Sequence, residues 1–461
     1  MLAKWIKNMG STSNNNVQAL LKWLGDSDDF YLNPNVEVYE DRVTGRGIRL
    51  KNGTLHKNDT VVSVPSSHQL NFITVLHWIR KFADNETVDP DIEAKQEVKT
   101  GSKDPRYRAY HLLKQDTIQE MNSFQLLCLF IIAEWLLLPR WSNNMVFSWW
   151  KPFFDIFPSD EEMSAIPTKW ALLHPEGLRG SFLKYLPTAS MRHTERLSEL
   201  LKNDWVVLKP ILQQWKEEFV EVETPSLEEL WSQFVYIYFV INSRCLYMEI
   251  PMKTDIKDHF TMVPFVDYLN HTNEVDVHCF PRVNNMKKHE YGIGEFSIHT
   301  GNHEYSIKFE ELLLNYGAHS NDFLLNEYGF TTLKNRWDYI DLTPEISTLF
   351  EDSRDIDFLN EIGYWGDFTI SEGDISYRIL VALSLLCCKD RRKTEKFALG
   401  YISEELFEPK TSLIIKKILT NVKQKYLKIL DDLKTIEAED WCRWNLINLY
   451  ESYKSIIESN L

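Results

Sequence analysis

The sequence predicts an α+β protein: a β-fold split by a helical insertion and followed by an all-α C-terminal domain. Three observations predict it. Short strand-like segments fill residues 36–65 and resume near Phe260, running to Tyr316. A helical block lies between the two strand groups. From about residue 340 the apolar residues keep helical spacing.

Taken in order, the first element is a short helix at Val17–Leu24, with asparagine before it and Gly25 after it. Val61-Val62-Ser63-Val64 is the clearest strand, β-branched and closed by Pro65. The segment from Asp84 to Arg108 is charged and holds Pro90, Gly101 and Pro105, which predicts a mobile loop. The helical block runs from Leu112 to about Val240. In it Ser123 is the expected N-cap, with Phe124, Leu127, Ile131, Trp135 and Leu138 at helical spacing. The stretch Phe124–Leu138 carries Glu134, ends at Pro139 and reads as too short to span a membrane, so it predicts a buried core helix. The aromatic run Phe147–Phe154 could form a cage for a methylated lysine, but packing between helices is the stronger reading.

Strands are expected again over Phe260–Val266, around Ile298 and over Phe309–Tyr316. Further on, Ile415, Ile418, Leu419, Val422, Tyr426, Ile429, Leu430 and Leu433 mark a long helix, capped by Thr411 or Ser412 after Pro409. A last helix carries Trp444, Leu449 and Tyr453. The expected domains are an N-terminal helix (1–30), a core domain (31–332, insertion about 76–240) and a helical C-terminal domain (333–461).

The chain has 461 residues and a formal charge of −16. That charge argues against direct nucleic-acid binding, which needs a basic surface. It suits a basic protein partner through long-range steering, or it serves solubility alone. The six cysteines show no Cys-x-x-Cys pair, as expected of thiols in a reducing compartment. The N-terminus lacks a secretory h-region, and no membrane association is expected. His271, Asp276 and His278 fit no standard metal template, so no metal is expected. Gly292-x-Gly294 lacks the third glycine of a dinucleotide fingerprint.

The motifs that carry chemistry occur in a fixed order. They are Thr44-Gly45-Arg46-Gly47-Ile48, Val64-Pro65-Ser66, Asn242-Ser243-Arg244-Cys245-Leu246, Asp267-x-x-Asn270-His271 and Asn315-Tyr316-Gly317. Ser320-Asn321-x-x-Leu324-Leu325-x-x-Tyr328-Gly329-Phe330 closes the set. Together they resemble SET-domain protein methyltransferases. The subgroup is that of Rubisco lysine methyltransferase and the fungal enzymes acting on ribosomal and elongation-factor lysines. The resemblance spans residues 17–332 and, more weakly, the rest.

It implies methylation of protein lysines with S-adenosyl-L-methionine (AdoMet) as cofactor. Tyr316 would be the catalytic tyrosine. Thr44, Gly45, Arg46, Ser243, Asp267, Asn270, His271 and Tyr328 would contact the cofactor, although Asp267 could equally bind substrate or orient the Asn-His turn. Arg244 would serve the substrate or the AdoMet carboxylate. Leu246 would line the substrate channel, where an apolar wall suits lysine better than histidine. The C-terminal domain would bind the substrate, a basic ribosomal protein or elongation factor. A cytoplasmic monomer is expected, with the nucleus as a second location. The alternative is a non-catalytic SET-like module that binds a basic segment.

Overall fold

A computed structural model describes residues 15–41, 45–83, 104–285, 291–436 and 441–461. It divides into two compact units, one of residues 1–163 and 199–317, the other of 164–198 and 318–461. This division differs from the expected 31–332 and 333–461. Residues from the insertion, including Trp170, Phe182 and Leu186, belong to the apolar core of the second unit.

The strands of the first unit, in chain order, are β1 (Tyr31–Leu32), β2 (Val36–Asp41), β3 (Gly45–Leu50), β4 (Thr60–Val64), β5 (Cys245–Tyr247), β6 (Phe260–Met262), β7 (Asn270–His271), β8 (His278–Asn284), β9 (Glu295–His299) and β10 (Glu311–Leu314). Eight of them form one sheet in the order β1-β4-β9-β8-β10-β3-β2, with β7 added beside β10. Strands β5 and β6 pair separately. In β4, Val61, Val62 and Val64 have no exposed surface, so both faces of this strand are covered. The strand expected over Phe260–Val266 stops at Met262. Pro264 lacks the N–H a ladder needs, and Phe265 turns to φ 73°, which sends the chain into a 3-10 turn at Val266–Tyr268.

The insertion is helical. Its cap is Asn122, not Ser123. The Asn122 side chain accepts from the Gln125 backbone while the Gln125 side chain accepts from the Asn122 backbone. Ser123 binds elsewhere, its backbone N–H donating to Asp258 Oδ1 at 2.7 Å. The helix runs on to Trp141 instead of ending at Pro139. A π-helical stretch, Ile132–Leu137, leads into the final turn, Leu138–Trp141, which carries Pro139. Ser123–Trp141 is therefore long and apolar enough to cross a membrane, yet 67% of its apolar window is buried in the protein. Glu134 sits inside it, accepting from the Tyr110 hydroxyl at 2.7 Å and lying 3.7 Å from Arg106.

The aromatic run joins a packed cluster. Trp149 and Trp150 lie 4.8 and 5.7 Å from Trp23, and Trp149 stacks on Trp78 at 5.9 Å. Of the expected loop 84–108, residues 84–103 lie outside the described residues; Pro105–His111 form a helix capped by Asp104.

The second unit is helical apart from a small sheet of β11 (Ile340–Asp341), β12 (Thr369–Ser371) and β13 (Asp374–Ile375). Its long helix starts at Glu408, ahead of the expected Thr411 or Ser412 cap, because Pro409 fits the first turn. That helix buries Leu419, Val422, Leu430 and Leu433 in the same core as Leu446, Leu449 and Tyr453 of the final helix, Trp441–Ser459. Asp322 accepts from the Ser190 and Tyr453 hydroxyls and so anchors the helix Asn321–Tyr328 to the final helix.

Replacing Asn122 by alanine removes the capping box. It is expected to cost about 1 kcal/mol, read as a lower urea midpoint at unchanged slope. A midpoint equal to that of the parent protein would show that the cap adds nothing.

Candidate active site

The four residues of β10 organise the site. Glu311 and Leu312 pair antiparallel with Arg49 and Ile48 of β3. Leu313 and Leu314 pair parallel with Asn270 and His271 of β7, and also with His278 and Cys279 of β8. Leu312 and Leu314 are buried, which fixes the register and hence which backbone groups meet. The Gly-Arg-Gly, Asn-His and Asn-Tyr-Gly segments are thereby drawn together from three parts of the chain.

Tyr316 follows β10 and crosses the Asn-His segment. Its backbone N–H donates to His271 Nδ1 at 3.2 Å, so that nitrogen acts as an acceptor. Its hydroxyl donates to the Leu269 carbonyl at 2.7 Å, and the two rings lie 5.1 Å apart. Burial pushes the phenol up to about 12; the positive charge of Arg244 opposes this, while the Asp267 and Glu311 carboxylates add to it. The group is therefore a neutral hydroxyl near pH 7.

Asn270 donates from Nδ2 to the Arg46 carbonyl at 3.2 Å and to Glu311 Oε1 at 2.8 Å. The Arg46 side chain is committed elsewhere. Its Nη1 donates to the Ile156 carbonyl at 2.8 Å, and its guanidinium lies 5.6 Å from the centre of the Tyr268 ring. Gly45 has φ 74°, a conformation that favours glycine. At Gly47 a Cβ would meet the Tyr39 ring at 2.7 Å, Glu311 Oε1 at 2.8 Å and Asn270 Nδ2 at 3.0 Å, so a larger residue would displace these side-chain ends.

Ser243 and Arg244 end the helix Leu227–Arg244. The Ser243 hydroxyl donates back to the Phe239 carbonyl at 2.7 Å and accepts from Arg244 Nη1 at 3.0 Å. Arg244 Nε lies 3.7 Å from Asp267 Oδ2. Among the described residues, Arg244 Nε and Asp267 Oδ1 are buried without a hydrogen-bond partner. Burial raises the Asp267 carboxyl to about 6, against the pull of Arg244 and Arg46. A half-buried arginine beside a buried carboxylate, together with a glycine backbone and an anchored amide, suits a polar ligand that carries charges of both signs.

Leu246 lies on β5, opposite Thr261 of β6, and is half-buried. Thr44 lies outside the described residues. Tyr328 belongs to the second unit, where it ends the helix Asn321–Tyr328 ahead of the left-handed Gly329. Gly45, Arg46, Ser243, Arg244, Leu246, Asp267, Asn270, His271 and Tyr316 all belong to the first unit. Glu311 was not among the residues expected from sequence, although it opens the strand that leads into Tyr316. Among the described residues no group of three or more histidines, cysteines or acids is placed to hold a metal ion.

Residues 338–461 match the family described as ribosomal lysine N-methyltransferase 2 C-terminal domain. Ribosomal lysine N-methyltransferase 2 of Saccharomyces cerevisiae is 43% identical over 96% of this chain and 98% of its own length. SET domain-containing protein 4 of Homo sapiens is 25% identical over 71% and 70%. Among solved structures, the SET domain of the methyltransferase LSMT bound to lysine and AdoHcy superposes with a TM-score of 0.54. That match has 16% identity and covers 96% of this chain and 90% of the other. Fold and sequence together define a SET-domain protein-lysine N-methyltransferase. Within that class, the chain belongs to the ribosomal lysine N-methyltransferase 2 family.

The Asp267 carboxyl has a definite pH signature. Its folded-state value of about 6 lies above the ordinary 3.8, so between about pH 4 and 6 the folded state holds a proton that the unfolded chain has lost. Stability should fall as pH rises through that window, levelling off after a loss on the order of 3 kcal/mol. Below about pH 4 both states are protonated and the cost vanishes. Thermal melting from pH 4 to 7 of the parent protein and of Asp267→Asn measures it. The melting temperatures of the two should converge at acid pH and separate above pH 6, and parallel curves would refute the assignment.

Proposed function

We propose that this protein transfers the methyl group of S-adenosyl-L-methionine to a lysine side chain of a ribosomal protein. The observation that carries the reading is Tyr316, tied by its hydroxyl to the Leu269 carbonyl and by its backbone to His271, on a strand paired with both β3 and β7. The identity of 43% with a ribosomal lysine methyltransferase along nearly the whole chain supports the substrate class.

The bound cofactor supplies an electrophilic methyl on a sulfonium. The chain's residues have the remaining tasks. A lysine amine must be neutral to attack, and deprotonating it at pH 7 costs about 4.6 kcal/mol in water. An apolar channel wall at Leu246 and the adjacent cationic sulfur both lower that cost. The neutral Tyr316 hydroxyl and the Leu269 carbonyl provide fixed oxygens to orient the amine, so that positioning carries more of the rate than a strong base. Asn270 and His271, with the backbone of Gly45–Gly47, hold the cofactor. Asp267 faces its positive groups, and Arg244, backed by Ser243, takes its carboxylate or a substrate carbonyl. Thr44 and Tyr328 are assigned to the cofactor on the resemblance of their motifs.

The second unit is the part proposed to dock the substrate protein, and the net charge of −16 steers a lysine-rich segment towards the enzyme. We place the enzyme in the cytoplasm, where ribosomal proteins are made, with the nucleus as a second location. It is proposed to act as a monomer on protein, without contacting nucleic acid directly.

Tyr316→Phe keeps the ring and removes one hydroxyl. Single-turnover methylation of ribosomal proteins from cells lacking this enzyme should slow by roughly 100-fold, while calorimetric AdoMet affinity stays near that of the parent. Asn270→Ala should show the opposite pattern, losing roughly 1–3 kcal/mol of AdoMet affinity. Near-normal turnover in a folded Tyr316→Phe protein would remove this tyrosine from the active site.

A further inference from the structure

We infer that Glu311 is the positioning residue for Asn270, fixing which way its amide faces and so presenting the amide oxygen to the cofactor's cationic end. This rests on the cofactor reading above and assigns a new residue to the same site.

The argument begins with donors and acceptors. A side-chain amide has two N–H donors and one carbonyl oxygen, and the two ends are distinguished only by their partners. Around Asn270 the partners are a backbone carbonyl, that of Arg46 at 3.2 Å, and the Glu311 carboxylate at 2.8 Å. Both can only accept. The NH2 end must face them, and the amide oxygen must face the other way. A flipped amide would set its oxygen against two acceptors at once.

Backbone register holds Glu311 in place. It lies on β10 opposite Arg49 of β3, two residues before Leu313, which pairs with Asn270. Gly47 of β3 closes the arrangement, since any Cβ there would press on Glu311 Oε1 at 2.8 Å and on Asn270 Nδ2 at 3.0 Å. A carboxylate is the stronger of the two acceptors, because the bond is charge-assisted. Its negative charge also strengthens the amide dipole, leaving Asn270 Oδ1 a better acceptor for an ammonium.

The test is a double-mutant cycle on cofactor binding. AdoMet dissociation constants are measured by calorimetry for the full-length parent, Glu311→Ala, Glu311→Gln, Asn270→Ala and the Glu311→Ala/Asn270→Ala double variant, with thermal melting as the folding control. Glu311→Ala should weaken AdoMet about tenfold. Glu311→Gln, which keeps an acceptor of the same reach, should recover most of that loss. In the Asn270→Ala background the Glu311 change should have almost no further effect, because the group it positions is gone.

A Glu311→Ala protein that binds like the parent would overturn the proposal. So would a tenfold loss that persists in the Asn270→Ala background, which would mean that Glu311 acts by another route. If the folded parent protein takes up no AdoMet, the cofactor reading itself falls, and the role of Glu311 falls with it.

Discussion

Strand β10 is only four residues long, yet it is hydrogen-bonded to β3, β7 and β8. Everything else at the site depends on that pairing. The Gly-Arg-Gly backbone, the Asn-His turn and the tyrosine come from positions near 46, 270 and 316, and no local preference would bring them together. Burial of Leu312 and Leu314 sets the register, and the register sets which polar atoms face one another. The site therefore inherits the rigidity of a sheet, although several of its residues lie in turns.

The electrostatics follow from the same closure. Asp267 is flanked by Arg244 and Arg46, and still its carboxyl is raised, because removing it from water outweighs two positive neighbours. Tyr316 shares the enclosure, which holds it neutral. A carboxylate kept at such cost and an arginine nitrogen with no hydrogen-bond acceptor among the described residues form an arrangement that a charged ligand would complete. Sites whose polar groups are under-satisfied by the protein alone are where binding energy is stored for a ligand.

How far this was legible in the sequence depends on the kind of signal. The glycines, the Asn-His turn and the Tyr-Gly strand end were legible because each imposes a backbone requirement that few other residues meet, as Gly45 and Gly47 do here. The α+β class was legible from the change of apolar period. Ends of elements were less so. The strand after Phe260 stopped early because Pro264 and Phe265 outweighed an otherwise apolar run. The cap moved to Asn122 because Gln125, three residues on, completes a reciprocal box that Ser123 cannot make. Pro139 failed to stop its helix because a π-helical stretch rephases the turn before it. The insertion was legible as a helical block, but the membership of Trp170, Phe182 and Leu186 in the core of the second unit was not, since apolar spacing says that a residue is covered and not by what. Glu311 escaped notice because a glutamate opening a strand looks like a solvent-facing residue until its partner across the sheet is known.

The order of strands in the sheet also bears on how the protein is made. Val64 ends β4, and its neighbour β9 begins at Glu295, about 230 residues later. At roughly 5–20 residues per second, a ribosome takes about 12–46 seconds to cover that interval. Throughout it, Val61, Val62 and Val64 have emerged as a β-branched apolar strand with one edge unpaired, while the helical insertion is synthesised ahead of its missing partner. The nascent chain thus carries an unpaired apolar edge for much of its own translation, the kind of surface that chaperones cover.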